Sequence, residues 1–170
     1  MKQFEYNTLG DNMAEHKYNR ENIYKYAQKW ALSRNPKYYD YEYIGGDCTN
    51  FVSQCIYAGY GQMNYSKLDG WYYINANNKS PSWTGVEHLY KFLIKNKGAG
   101  PMGEETTIQN LEVGDIIQLS FDGLTFSHGL VVVQNGNSIV NTLIAAHTYD
   151  TFGRNVLSYE FKKYRCIHLK

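Results

Sequence analysis

The sequence lacks any apolar run near the roughly 18 residues of a membrane span. Its first residues, MKQFEYNTLGDNMAEHKYNR, lack the apolar stretch a secretory signal needs. Neither sign of charge is in excess. With 17 Lys and Arg against 16 Asp and Glu, there is no basic footprint for nucleic acid or an anionic membrane surface. Cysteine is scarce. Cys48, Cys55 and Cys166 are an odd set without a CxxC pair, which argues against a disulfide framework and a structural zinc site. No metal and no organic cofactor is expected.

Aromatic residues are plentiful: 17 Tyr, 7 Phe and 3 Trp. Tyrosine joins an apolar ring to a polar tip, which suits half-buried walls and grooves that grip polar polymers. The length fits one domain, here placed at 19–170 behind a polar, unpatterned arm at 1–18. Such a chain buries about 70% of the surface it exposes unfolded, and so folds without staples.

Helical signals come first. Asn19 is a good N-cap, and Ile23, Ala27, Trp30, Ala31 and Arg34 then share one helix face before Pro36 ends the run. In IGGDCTNFVSQCIYAGYG, Asp47 is placed to cap a second helix. Cys48, Phe51, Val52, Cys55 and Ile56 line one side of it, and Gly59 and Gly61 end it. Residues 60–82, with GWYY at 70–73, read as a long surface loop of the kind that carries function. A third helix is expected over about Trp83–Asn96, with Val86, Leu89, Tyr90, Leu93 and Ile94 inward. From Leu111 the period changes to that of strands. LEVGDIIQLSF, FSHGLVVVQ, SIVNTLIAAH and YEFKKYRCIHL are the segments, with a tight hairpin at Asn135-Gly136 or Gly136-Asn137. Helices followed by strands give the α+β class, with helices packed on one face of an antiparallel sheet.

A thiol becomes a good nucleophile as a thiolate, and a helix N-terminus favours that anion. Cys48 stands at a helix start and Cys55 lies deep in the same helix, so Cys48 is the candidate nucleophile. His128 opens a strand after Ser127 and is the candidate base. Counting through the hairpin sets His128 across from roughly Leu143 to Ala145. His147 is then the nearest polar side chain to orient the base, with Asn141 the alternative if the register slips and Asp150 a poorer third. His16, His88 and His168 fit less well.

The strings GGDCTNFVSQC, ALSRNPKYY, SPSWTGV, GDIIQLSF, SHGLVVV and AAHTYD resemble the putative amidase domain family, from about Tyr18 to Leu169. That family is related to papain-like cell-wall amidases and endopeptidases, including the CHAP type. The resemblance implies a papain-like α+β fold with Cys48 as nucleophile, His128 as base and His147 as third member. Asp47 and Asn50 match motif positions and are carried over as supporting residues around the oxyanion site. The expected substrate is bacterial peptidoglycan, cleaved at the lactyl–L-alanine amide or at a peptide bond of the stem or bridge. Trp71, Tyr72 and Trp83 are expected to line its groove. The expected place of action is the cell wall, reached by a chain that stays cytoplasmic until release or forms part of a longer exported or phage protein. The alternatives are an idle wall-binding module on the same fold and a protein-modifying deamidase or transglutaminase-like enzyme. Oligomeric state is left open.

Overall fold

The computed structural model describes residues 18–170. The expected arm lies outside the described residues except for Tyr18, and so does His16. Tyr18 belongs to the fold instead: its ring is buried and its hydroxyl donates to the Gly114 carbonyl at 3.1 Å.

Helix α1 spans Arg20–Trp30, with the Asn19 side chain accepting from the Asn22 amide as its cap. It stops before Arg34 and Pro36, so Arg34 lies beyond the helix. Helix α2, Cys48–Tyr60, ends in Gly61 with a positive φ of 78°. Gly59 does not end α2 but lies within it, where a Cβ would sit 2.4 Å from Cγ1 of Ile23 and 2.8 Å from the Asn19 carbonyl. The absent side chain is what lets α1 and α2 approach this closely.

The expected loop at 60–82 is largely structured. It holds a bridge between Asn64 and Trp71, a small hairpin of β1 (Tyr73–Asn75) and β2 (Asn78–Lys79), and the start of helix α3 (Pro81–Thr84). The expected single helix over Trp83–Asn96 is broken. Gly85 closes α3 in an extended conformation, and α4 (Val86–Lys95) buries Leu89, Phe92 and Leu93.

The remaining strands are β3 (Gly103–Thr106), β4 (Ile116–Ser120), β5 (His128–Gln134), β6 (Leu143–Ala146), β7 (Thr151–Asn155) and β8 (Lys163–Leu169). They form one six-stranded sheet in the order β3-β8-β4-β5-β6-β7, with every pair antiparallel. The fold is α+β. The helices cover one face through Phe51, Val52, Ile56 and Leu93 against Val131, Ala145 and Ile167. The other face packs Leu119, Leu130, Val132 and Ile144 under irregular chain that includes Val156, Tyr159 and Phe161. Because both faces are covered, all of β4 is buried, and so is β5 except Gln134, which explains their unbroken apolar runs. Among the described residues, no helix is long and apolar enough to cross a membrane.

The turn between β5 and β6 is not the expected two-residue hairpin. The strands pair at Gln134↔Leu143 and Val131↔Ala145, with an irregularity between, and the connection runs over 135–142 with Asn137 at φ 59°. That register brings Gly129, not His128, level with His147.

The contact at Gly59 gives a direct test of the helix packing. Gly59→Ala should lower stability by about 1–3 kcal/mol, because the new methyl meets a packed side chain and backbone. The shift in the urea midpoint against wild type measures it.

Candidate active site

The chain enters α2 through Gly45 and Gly46, at φ 94° and 96°, a region that disfavours side chains. Behind Gly46, the Thr148 hydroxyl accepts from the Asp47 amide at 3.1 Å and donates to Glu42 at 3.2 Å. Thr148 and Tyr149 are themselves at φ 58° and 68°, uncommon for side-chain-bearing residues and strained for the β-branched Thr148. The path into Cys48 is therefore fixed by backbone on both sides.

Cys48 is the first residue of α2 and is 8% exposed. Its sulfur lies 3.8 Å from the Thr49 hydroxyl, and the Gly129 backbone N–H points to it. Burial raises the thiol pKa above its ordinary value, while Gly129 and Thr49 pull it back. The helix start thus does not yield a resting thiolate, because desolvation outweighs it. Cys55 and Cys166 are buried free thiols that burial raises further, Cys166 to about 12.

His128 is the residue before Gly129, at the first position of β5 and opposite Leu119 of β4. Cys48 therefore lies against the residue that follows His128, at one end of β5. The His128 ring touches Tyr159, with centroids 5.3 Å apart, and lies 6.2 Å from Phe121. Burial lowers its pKa to about 4, so the imidazole is neutral at physiological pH. Its Nε2 is enclosed without a hydrogen-bond partner among the described residues.

His147 does not orient His128. Its Nδ1 lies 2.5 Å from Asp47 Oδ2 and its Nε2 lies 2.8 Å from the Trp30 carbonyl. A carbonyl can only accept, so Nε2 carries a proton, and the Nδ1–carboxylate pair shares another. No lone pair remains for a second partner. The ring also stacks on Phe51 at 4.1 Å, inside the helix-side core. The physical reason is the register: one step along a strand turns a side chain to the other face.

Asp47 is the N-cap residue that precedes α2, but its side chain makes no cap bond to the helix amides. Instead Oδ1 accepts from the Tyr41 amide at 3.0 Å and from Asn50 Nδ2 at 2.8 Å, while Oδ2 meets His147 and, at 3.6 Å, Arg34. Asn50 also donates to the Tyr39 carbonyl and accepts from the Trp83 indole at 2.9 Å.

The expected groove residues are not groove residues. Trp71 and Trp83 are fully buried, the Trp71 indole donating to Ser53, and Tyr72 packs half-buried against the same core. Asn141 is exposed on the β5–β6 connection, where its amide donates to Ser138. Asp150 pairs with Arg34 at 2.7 Å. Sequence spacing carried no signal for Arg34 as the hub of Asp40, Glu42, Asp47 and Asp150, nor for Tyr159 beside the base.

A concavity of about 510 Å³ lies between α4 and residues 64–70, lined by His88, Lys91 and Lys95 among others, and Cys48 and His128 do not line it. No cysteine lines it, and the cysteine and histidine candidates lie instead at the end of β5. Among the described residues, no three His, Cys, Asp or Glu side chains are arranged to hold a metal ion.

Two outcomes follow from this geometry. His147→Ala strips the buried Asp47 carboxylate of its partner, so it should cost about 3–5 kcal/mol in denaturant unfolding, whereas Cys48→Ala should cost far less. The depressed pKa of His128 also sets a pH dependence. The unfolded ring binds a proton below about pH 6.5 and the folded ring below about pH 4, so its share of stability is present above 6.5 and is lost as pH falls toward 4. Between pH 7 and 4.5 the wild type should lose roughly 2–3 kcal/mol more than His128→Gln, read from urea unfolding at both values.

The comparisons agree with the motifs. The chain is 33% identical over 138 residues to the uncharacterized protein YhbB of Bacillus subtilis (strain 168), which covers 79% of this chain and 42% of YhbB. It is 31% identical over 108 residues to the uncharacterized protein YjcM of the same organism, covering 62% of this chain and 24% of YjcM. The chain thus spans less than half the length of either relative. No solved structure is a significant match. The putative amidase domain matches residues 17–169, nearly the whole chain, and the chain belongs to that family.

Proposed function

We propose that the chain is a cysteine-dependent hydrolase that cleaves an amide bond of bacterial peptidoglycan, at the lactyl–L-alanine linkage or within the stem or bridge peptide. The observation that carries this reading is the Cys48 thiol at the Gly129 N–H, one residue along β5 from the neutral imidazole of His128. Membership of the putative amidase domain family supports the reaction class.

The resting pair is thiol and imidazole. As Cys48 Sγ bonds to the substrate carbonyl carbon, His128 takes the thiol proton. The tetrahedral oxygen is held by the Cys48 N–H at the start of α2 and a nearby donor. Collapse breaks the carbon–nitrogen bond, and the amine leaves with the proton from His128. Water then attacks the thioester while His128 accepts its proton, and Cys48 is restored. No cofactor enters these steps. With Trp71 and Trp83 enclosed, substrate contacts fall to exposed aromatic side chains close in sequence to Cys48, His128 and His147. These are Tyr43 (95% exposed), Phe121 (41%) and Tyr149 (77%).

Purified cell walls, followed by turbidity and by mass spectrometry of the fragments, test the reading. Cys48→Ala should fall to background, and His128→Ala should lose between about a hundredfold and ten-thousandfold in rate. Sedimentation with walls and no fragment release would mean an idle binding module. Release of ammonia from protein glutamine, with walls left intact, would mean a protein-modifying enzyme.

A further inference from the structure

The site contains two enclosed polar atoms without a hydrogen-bond partner among the described residues, Nε2 of His128 and the hydroxyl oxygen of Tyr159. Their rings are in contact, with centroids 5.3 Å apart and planes inclined at 51°. A buried polar group left unpaired is costly, and two on touching rings call for a common explanation.

Tyr159 is held in place from behind. It follows the 3₁₀ turn Val156–Ser158, which the Asn155 side chain caps by accepting from the Leu157 amide. The Tyr159 amide donates to the Val156 carbonyl at 3.2 Å. Arg154 lies over its ring at 4.7 Å and also bonds Ser158. Its ring packs on the sheet face of Leu130 and Val132, the face to which strand alternation directs His128. Burial pushes the phenol pKa up, Arg154 pulls it back and the nearby Cys48 thiol pushes it up, so the hydroxyl keeps its proton and its lone pairs. The residues the sequence offered as orienters are spent elsewhere: His147 on Asp47 and Trp30, and Asn141 on an exposed connection.

We propose that Tyr159 is the positioning residue of His128, its hydroxyl accepting a hydrogen bond from Nε2–H and so leaving the Nδ1 lone pair for the Cys48 proton. This rests on the cysteine–histidine reading above. The rings already touch, and catalytic hydrogen bonds commonly tighten only with substrate bound. During attack the proton moves from Sγ to Nδ1, and the imidazolium keeps its Nε2–H on the phenol oxygen. That proton on Nδ1 then passes to the leaving amine, so nothing is consumed at Tyr159.

Three measurements test the assignment. In ¹⁵N NMR of the wild type at pH 7, His128 should be the Nε2–H tautomer, and a dominant Nδ1–H form overturns the proposal without any variant. Tyr159→Phe keeps the ring and removes the oxygen. It should mix the tautomers, slow alkylation of Cys48 by iodoacetamide about tenfold, and lower kcat on purified walls about tenfold to a hundredfold with KM little changed and the melting temperature held. A purely structural role would lower the melting temperature and leave the tautomer and alkylation unaltered, which also overturns it. His128→Ala is the control that separates the two readings. If it alkylates at the wild-type rate, the cysteine–histidine pair itself fails. If it is slow while Tyr159→Phe matches wild type, only the Tyr159 assignment fails.

Discussion

The buried carboxylate of Asp47 fixes where Cys48 stands. An ion of this kind removed from water costs several kcal/mol unless hydrogen bonds replace its hydration. Asp47 is fully enclosed, and those bonds come from the Tyr41 amide, Asn50 and His147, with Arg34 nearby. Each partner comes from a different part of the fold: the 35–46 segment, the first turn of α2, and the end of β6. Meeting all of them leaves Asp47 one position, and Cys48 is the next residue. His147 serves the site through this carboxylate. The Trp30 carbonyl on its other nitrogen carries the same constraint to the end of α1.

Burial also decides the electrostatics of the pair. A helix N-terminus favours an anion by about 0.3–1 kcal/mol, or about 2 kcal/mol in the best partly buried geometries. For Cys48, 8% exposed, desolvation is the larger effect, and the thiol pKa is raised. For His128 the same effect, with no acid beside it, lowers the pKa to about 4. Both shifts favour the neutral forms, so the proposed mechanism would transfer the proton during attack and not start from a resting ion pair.

The sequence was informative where one local pattern admits one outcome. GGDCTNFVSQC contains the glycine entry, the helix start and the apolar face of α2, and the α+β order follows from the change of period. It was uninformative where partners are distant. Trp71 and Trp83 looked like exposed gripping residues, yet each indole finds a hydroxyl or amide inside, on Ser53 or Asn50, which only the fold brings near. Asn135-Gly136 promised a tight hairpin. In the fold the Asn135 side chain instead donates to the Leu111 carbonyl and accepts from the Asn137 amide, the chain turns later, and the register against β6 moves. Strands β3 (GEET) and β7 (TFGRN) are short and mixed in polarity, so their patterns do not rise above those of loops.

That shift in register has a structural use. On its β6 side, β5 pairs from Val131 onward, while on its β4 side it pairs from His128. His128 and Gly129 therefore extend past the end of β6, with the flank on that side free of strand pairing. Gly129 offers its N–H to the Cys48 sulfur there. A Cβ at 129 would lie 3.3 Å from Cγ2 of Val52, a tight contact to which that side chain would have to yield. Alternation then sends His128 to the opposite face, where Tyr159 and Phe121 enclose it. The nucleophile arrives with the helix layer and the base stands with the other layer. In the proposed mechanism they would come together at the end of β5, where its pairing with β6 stops.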